Sequence, residues 1–201
     1  MTESITFRLL MTLLMGCGLI VMAADDGDAA EVGKGETKHV KVKDIILYVP
    51  VAWKQRPPAN KLRLAQFDIP PEDGDREKVE LTIFSFGGGG VGANVRRWIN
   101  QFQPDGRKVK ITTGKSPQGP YVFVDLSGTF NMPVGPPIQR KTKPLSNARM
   151  LGVILAIEKK GVYYLKMVGP KKTISASTDT LRSSFGATAG NEKDFKLDDG
   201  N

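Results

Sequence analysis

The chain has 201 residues, 40% of them hydrophobic, and a net charge of +8 from 29 Lys/Arg against 21 Asp/Glu. Its single cysteine and single histidine exclude an internal disulfide, a Cys/His zinc site and any Ser-His-Asp or Cys-His relay. The basic residues cluster from Lys34 to Arg63 and from Pro137 to Thr173, with an acidic insert from Asp68 to Glu80 between them. Such patches read first as an ordinary solvated basic surface, and otherwise suit anionic polymers, lipid headgroups or an acidic partner. Nucleic acid is disfavoured, because no recognised binding module appears.

Arg8 precedes an uncharged, largely apolar run from Leu9 to Ala24, which gives way abruptly to Asp25-Asp26-Gly27-Asp28. Residues 1–24 have the layout of an export signal. Two processing sites compete within it. Leu14-Met15-Gly16-Cys17 resembles a lipobox, with a signal over 1–16 and lipidation at Cys17. Val21-Met22-Ala23 suits an ordinary cut after Ala23 or Ala24. An uncleaved anchor is the third reading, although 16 residues are few for a spanning helix. The expected location is exported: periplasmic or lipid-anchored at a membrane, alternatively secreted.

Residues 25–43 read as a flexible polar lead-in that carries His39. A single α+β domain is expected over 44–186 and a disordered tail over 187–201. Asp44 to Pro50 opens the domain, and Trp53 is expected in the core. Leu62 to Ile69 and Val79 to Phe86 read as strands of a hairpin around Pro70-Pro71-Glu72-Asp73-Gly74-Asp75. Val91, Val95, Trp98, Ile99 and Phe102 then recur at three- and four-residue steps. That places a helix from about Gly92 to Phe102, with Arg96 and Arg97 off its apolar stripe.

Lys108 to Thr113 and Tyr121 to Thr129 alternate as strands. In the second, Val122, Val124 and Leu126 point one way and Tyr121, Phe123 and Asp125 the other. Phe130 to Ala148 carries proline and basic residues without a period and reads as a long loop. Leu151 to Ile157 and Val162 to Val168 form a hairpin around Lys159-Lys160-Gly161. Ile174, Leu181 and Phe185 mark a last helix. The sum is a largely antiparallel sheet of six or seven strands with two main helices.

Several motifs imitate chemistry. Gly87 to Gly92 before a helix could cradle an anion, but it lacks a P-loop's Lys-Ser/Thr and a dinucleotide fingerprint. Gly114-Lys115-Ser116 imitates the end of a Walker A motif without its opening glycine and reads as a loop. Asp125, with Ser127 on the same face, is either solvent-facing or held by a partner such as Tyr121 or a nearby lysine. Tyr163 and Tyr164 alternate, so one is expected in the core and the other on a binding face.

Four segments carry a resemblance: Gly88 to Phe102, Leu64 to Phe67, Val124 to Thr129, and Tyr164 to Pro170. Together they resemble a family of small uncharacterised bacterial exported proteins, many of them lipoproteins, over roughly Leu47 to Phe185. The broader shape is similar to the Mog1/PsbP-like α/β/α sandwich, which implies binding or assembly rather than catalysis.

The resulting expectation is a non-enzymatic envelope protein without a cofactor, metal or catalytic residue. It would bind a protein or anionic polymer, with Arg96, Arg97, Arg140, Lys141 and Lys143 as contacts and Cys17 as the anchor. The alternative is a carrier of small ligands or anions, which requires an apolar or basic concavity between the sheet and the segment Phe130 to Ala148. A closed face would favour the first reading. A carboxylate-based hydrolase would need a pocket joining Asp125 to a second carboxylate.

Overall fold

The computed structural model describes residues 35–197, so residues 1–24, expected to be an export signal, and Cys17 lie outside the described residues. Two strands, β1 (Thr37–Val42) and β2 (Ile45–Pro50), pair antiparallel as a separate hairpin. The main sheet contains β3 (Lys54–Arg56), β4 (Arg63–Ile69), β5 (Val79–Ser85), β6 (Lys108–Ser116), β7 (Gly119–Pro133), β8 (Thr142–Ile157), β9 (Gly161–Pro170) and β10 (Lys193–Asp194). Their order is β10-β6-β7-β8-β9-β5-β4-β3, and every pairing is antiparallel. Helix α1 (Gly90–Ile99) follows β5, while α2 (Lys171–Ala176) and α3 (Thr178–Ser184) follow β9. The fold is α+β, a layered sandwich around a largely antiparallel sheet, as the sequence implied.

Alternation in the strands gives the sheet two buried faces. Tyr121, Phe123, Leu151, Val153, Leu155, Tyr163 and Leu165 point to the first. There they meet Ile45, Leu47 and Val49 of the hairpin, Trp53, and Ile174, Leu181 and Phe185 from the last helices. Val122, Val124, Leu126, Met150 and Ile154 point to the second, under Val95, Trp98 and Phe102. Each fully buried aliphatic or aromatic side chain contributes ~2 kcal/mol, so two filled faces hold the sheet without disulfides. On the second face Gly152 lies directly beneath Trp98: a Cβ there would come within 2.4 Å of the indole.

Several boundaries differ from the sequence reading. The lead-in is a strand from Thr37 onward, with His39 exposed and its ring 6.5 Å from that of Tyr48. Its polar side chains face solvent, and backbone pairing with β2 orders it. The tail is also built in. Lys193–Asp194 pairs with Thr112–Thr113, and Phe195 and Leu197 pack against the second face.

The expected loop from Phe130 to Ala148 is instead the outer half of a long β7–β8 arm. Its tip turns through a 3-10 segment, Pro137–Gln139, and Val134 N donates to Lys141 O at 2.9 Å. The arm's backbone pairs while most of its β8 side chains remain exposed, so no hydrophobic period marks it. Gly114-Lys115-Ser116 belongs to β6 rather than a loop.

The last helix divides in two. Ser177 Oγ and Thr178 Oγ1 donate back to the carbonyls of Thr173 and Ile174 at 3.0 and 3.1 Å, a local competition that bends helices. Both Tyr163 and Tyr164 are buried, correcting the expectation that one would lie on a binding face. Each sheet face has a cover, so both sides of β9 accept an aromatic ring.

Candidate functional site

Helix α1 covers only part of the second face. Its C-terminal turn is fixed to the arm by two backbone bonds: Gln103 N to Thr129 O and Asn131 N to Gln101 O, both 2.8 Å. The ladder shifts register between Gly128 and Phe130, where the arm leaves the body of the sheet. Between the arm, the end of α1 and strands β5 and β9 lies a groove of about 690 Å³. Phe84, Phe130, Met132, Leu145 and Val168 supply apolar lining; Arg63, Glu80, Asn100, Gln101 and Lys166 supply polar groups.

Lys166 occupies a central position. It lies opposite Thr82 in the β5–β9 ladder, on the same face as Tyr164 and Val168. Its Nζ donates to Gln101 Oε1 at 2.5 Å and lies 5.6 Å from the centre of the Phe130 ring. Among the described residues it forms no salt bridge. Burial pushes its ammonium down to about 8, with Arg97 and then Arg63 adding like-charge repulsion.

The neighbouring carboxylate is otherwise engaged. Glu80 accepts from Arg63 Nη1 at 3.1 Å and from Gln66 Nε2 at 2.8 Å. Arg63 Nε is buried without a hydrogen-bond partner among the described residues.

A second concavity of about 250 Å³ shares Phe84, Gln101 and Lys166 with the groove, extending it toward Leu62, Phe86, Arg97 and Trp98. Here Phe86 stacks on Tyr164 at 4.6 Å and 11°, and the Arg97 guanidinium lies 5.5 Å from the Phe86 ring centre. Leu62 is 73% exposed and Phe86 37% exposed, so this end is open and apolar.

The sequence-derived contacts fall on two elements. Arg96 and Arg97 lie exposed on α1, and Arg97 Nη2 donates to Asn94 Oδ1 at 2.7 Å. Arg140 and Lys141 are exposed at the arm's tip. Lys143 binds Glu77 at 3.1 Å, and that carboxylate lines the groove. Of these residues, only Arg97 lines the joined concavities directly. Lys166 and Arg63 went unrecognised, although a lysine within Tyr164-Leu165-Lys166-Met167-Val168 is an irregularity on an otherwise apolar face.

Asp125 does not join a second carboxylate. It accepts from Arg149 Nε and Nη2 at 2.9 and 2.6 Å, and Arg149 also donates to Ser175 Oγ at 2.8 Å, tying the sheet to α2. The Asp125 hydrogen bonds raise the Arg149 pKa. The expected partner was Tyr121 or a lysine; arginine supplies the bidentate geometry neither could.

At the glycine run, Asn94 Nδ2 donates to Gly90 O at 2.7 Å and Gly88 O at 3.5 Å, closing the turn on itself. Gly88, Gly89 and Gly90 all have positive φ, which accounts for the glycines as a turn.

Among the described residues, no three His, Cys, Asp or Glu side chains gather to hold a metal, and no helix is long and apolar enough to cross a membrane. No family model and no curated protein matches the chain. Among solved structures it is similar to the solution structure of cyanobacterial PsbP (CyanoP) from Synechocystis sp. PCC 6803. The identity is 12% and the TM-score 0.43, covering 86% of this chain and 100% of that one. This is a distant likeness of fold, from which no function follows.

Proposed function

We propose that this chain is a non-enzymatic binding protein whose ligand is a small amphipathic anion, an alkyl or aryl carboxylate, held in the groove beside the arm. The observation that carries this reading is the Lys166 ammonium, set among apolar walls with the neutral Gln101 as its hydrogen-bond acceptor. An entering carboxylate would supply the missing counter-charge. Phe84 and Phe86 would cover its apolar part, worth about 25 cal/mol per Å² removed from water. The concavity lies where the carrier alternative required it, between the sheet and the segment Phe130 to Ala148.

Titration calorimetry with octanoate and octanol tests the reading at pH 7. Octanoate should bind at least about tenfold more tightly, as expected for one charge-assisted hydrogen bond. Lys166→Met should abolish that preference. Equal affinity for acid and alcohol would overturn it.

A second reading, docking to a protein or anionic polymer, is favoured at the arm's tip. There Ile138 is 90% exposed near the exposed Arg140 and Lys141. We place the protein outside the cytoplasm, lipid-anchored through Cys17. Intact mass and membrane fractionation of the native protein beside Cys17→Ala test that placement. An unlipidated chain starting at Ala24 or Asp25 would instead make it freely periplasmic or secreted.

A further inference from the structure

We propose that the Lys166 amine forms a reversible imine with apolar aldehydes entering the groove, giving the site a covalent mode of capture. This goes beyond carboxylate binding and shares with it Lys166 and the requirement that the groove admit a small molecule.

The geometry supplies what imine formation needs. Lys166 lines both joined concavities, so its amine stands where a ligand reaching from either end would pass. Its contact is the Gln101 amide oxygen, which can accept from either the ammonium or the neutral amine. Phe84, Phe130 and Val168 provide an apolar setting for the aldehyde's chain.

The charged groups around it come from separate elements: Arg63 from β4, Glu80 from β5 and Arg97 from α1. Glu77 and Lys78 line the groove as well, and the lining residues of the arm carry no charge. Glu80 is held by Arg63 and Gln66, and among the described residues no carboxylate pairs with the lysine.

With the ammonium lowered to about 8, roughly a fifth of Lys166 is neutral at pH 7.4, against about 0.1% for an ordinary lysine. The nitrogen lone pair attacks the carbonyl carbon, forming the C–N bond. The carbonyl oxygen gains a proton as the nitrogen loses one, giving a carbinolamine. The carbinolamine's C–O bond then breaks, the hydroxyl leaving as water with the remaining N–H proton, and the C=N bond forms. One amine and one aldehyde give one imine and one water, with no oxidant or reductant consumed.

The test is reductive trapping of the full chain with hexanal and saturating cyanoborohydride, so that imine formation sets the labelling rate, followed by peptide mass mapping. Lys166 should be alkylated at least about tenfold faster than Lys159, whose side chain is 88% exposed. Its rate should level off above pH 8 while that of Lys159 continues to rise. Labelling of Lys166 no faster than Lys159 would overturn the proposal.

Octanoate separates this inference from the carboxylate reading. Protection of Lys166 by octanoate supports both. Selective labelling of Lys166 with no octanoate binding sustains the imine and overturns the carboxylate reading. Octanoate binding without selective labelling overturns the imine alone.

Discussion

The two faces of one sheet end differently. On the first, a strand hairpin, Trp53 and two short helices meet the sheet's side chains and close over an apolar core. Its ionic groups sit at the margin, where Arg182 pairs with Glu192 at 2.7 Å and lies 4.0 Å from the Phe123 ring centre. On the second, a single helix covers part of the same strands, and a lysine lies beside a groove. Strands of similar alternation thus form a closed core on one side and the floor of a groove on the other. The difference lies in how much surface the connections cover.

The first face is where disruption should cost most. Glu192 and Arg182 have side chains only 5% and 12% exposed, and Glu192 also accepts from Thr112 at 2.7 Å and Tyr121 at 3.3 Å. Glu192→Ala leaves Arg182 beside the aromatic core without its close counter-charge. A loss of about 3–5 kcal/mol is expected in urea unfolding, and Glu192→Gln should retain part of it. A change below about 1 kcal/mol would mean that the C-terminal segment contributes nothing to sealing this face.

Lys166 sharpens the contrast through pH. Its folded pKa is about 8 against an ordinary 10.5, so the unfolded chain holds more protons between those values. Wild-type stability should therefore rise as pH increases from 8 toward 10. The full gain is bounded near ~3 kcal/mol at 1.36 kcal/mol per unit.

Tyr121 opposes this only above pH 10. Burial, then the Glu192 charge and its hydrogen bond, raise its phenol to about 12. In that higher range the folded state keeps the proton longer and stability falls. Lys166→Met should be flat from pH 8 to 10 and more stable than wild type at pH 7. A variant that follows the wild-type curve would assign the slope to a group other than Lys166.

Gly152→Ala tests the covered part of the second face. The added methyl meets Trp98 at 2.4 Å, so α1 must lift or the indole must turn. Overpacking should cost about 1–3 kcal/mol and shift Trp98 fluorescence. An unperturbed spectrum would show that α1 rests loosely and that the groove is wider in solution.

Much of the sheet was legible because strands buried on both faces read as continuous apolar runs rich in β-branched and aromatic residues, as at Val122-Phe123-Val124. The helix was legible for the corresponding reason: Val95, Trp98 and Phe102 share one stripe. The arm was not, because its outer rungs bury backbone rather than side chains. The tail was missed because a two-residue strand and one ion pair leave no periodic trace.

The site was legible only in outline. The carrier alternative required a concavity between the sheet and Phe130 to Ala148, but the groove's central lysine comes from β9, distant in the chain. Only the β5–β9 register sets Lys166 against Thr82 and toward the arm. The surface arginines and lysines stood out through charge, which also marks ordinary solvated surface.

The smallest effect is expected at the arm's tip, and it decides whether the molecule has one binding region or two. Arg140 and Lys141 are exposed, Arg140 has a φ of 49°, and neither lines the groove. Replacing both with Ser should change stability by less than about 0.5 kcal/mol, as for other exposed positions. Octanoate affinity should also stay within about twofold, since exposed charges at a distance are screened. If affinity falls severalfold while stability holds, the tip contributes to the groove, and the arm must bend over its ligand. If both hold but binding to an anionic polymer such as heparin is lost, the tip is a second binding region. The open face would then carry two separate functions.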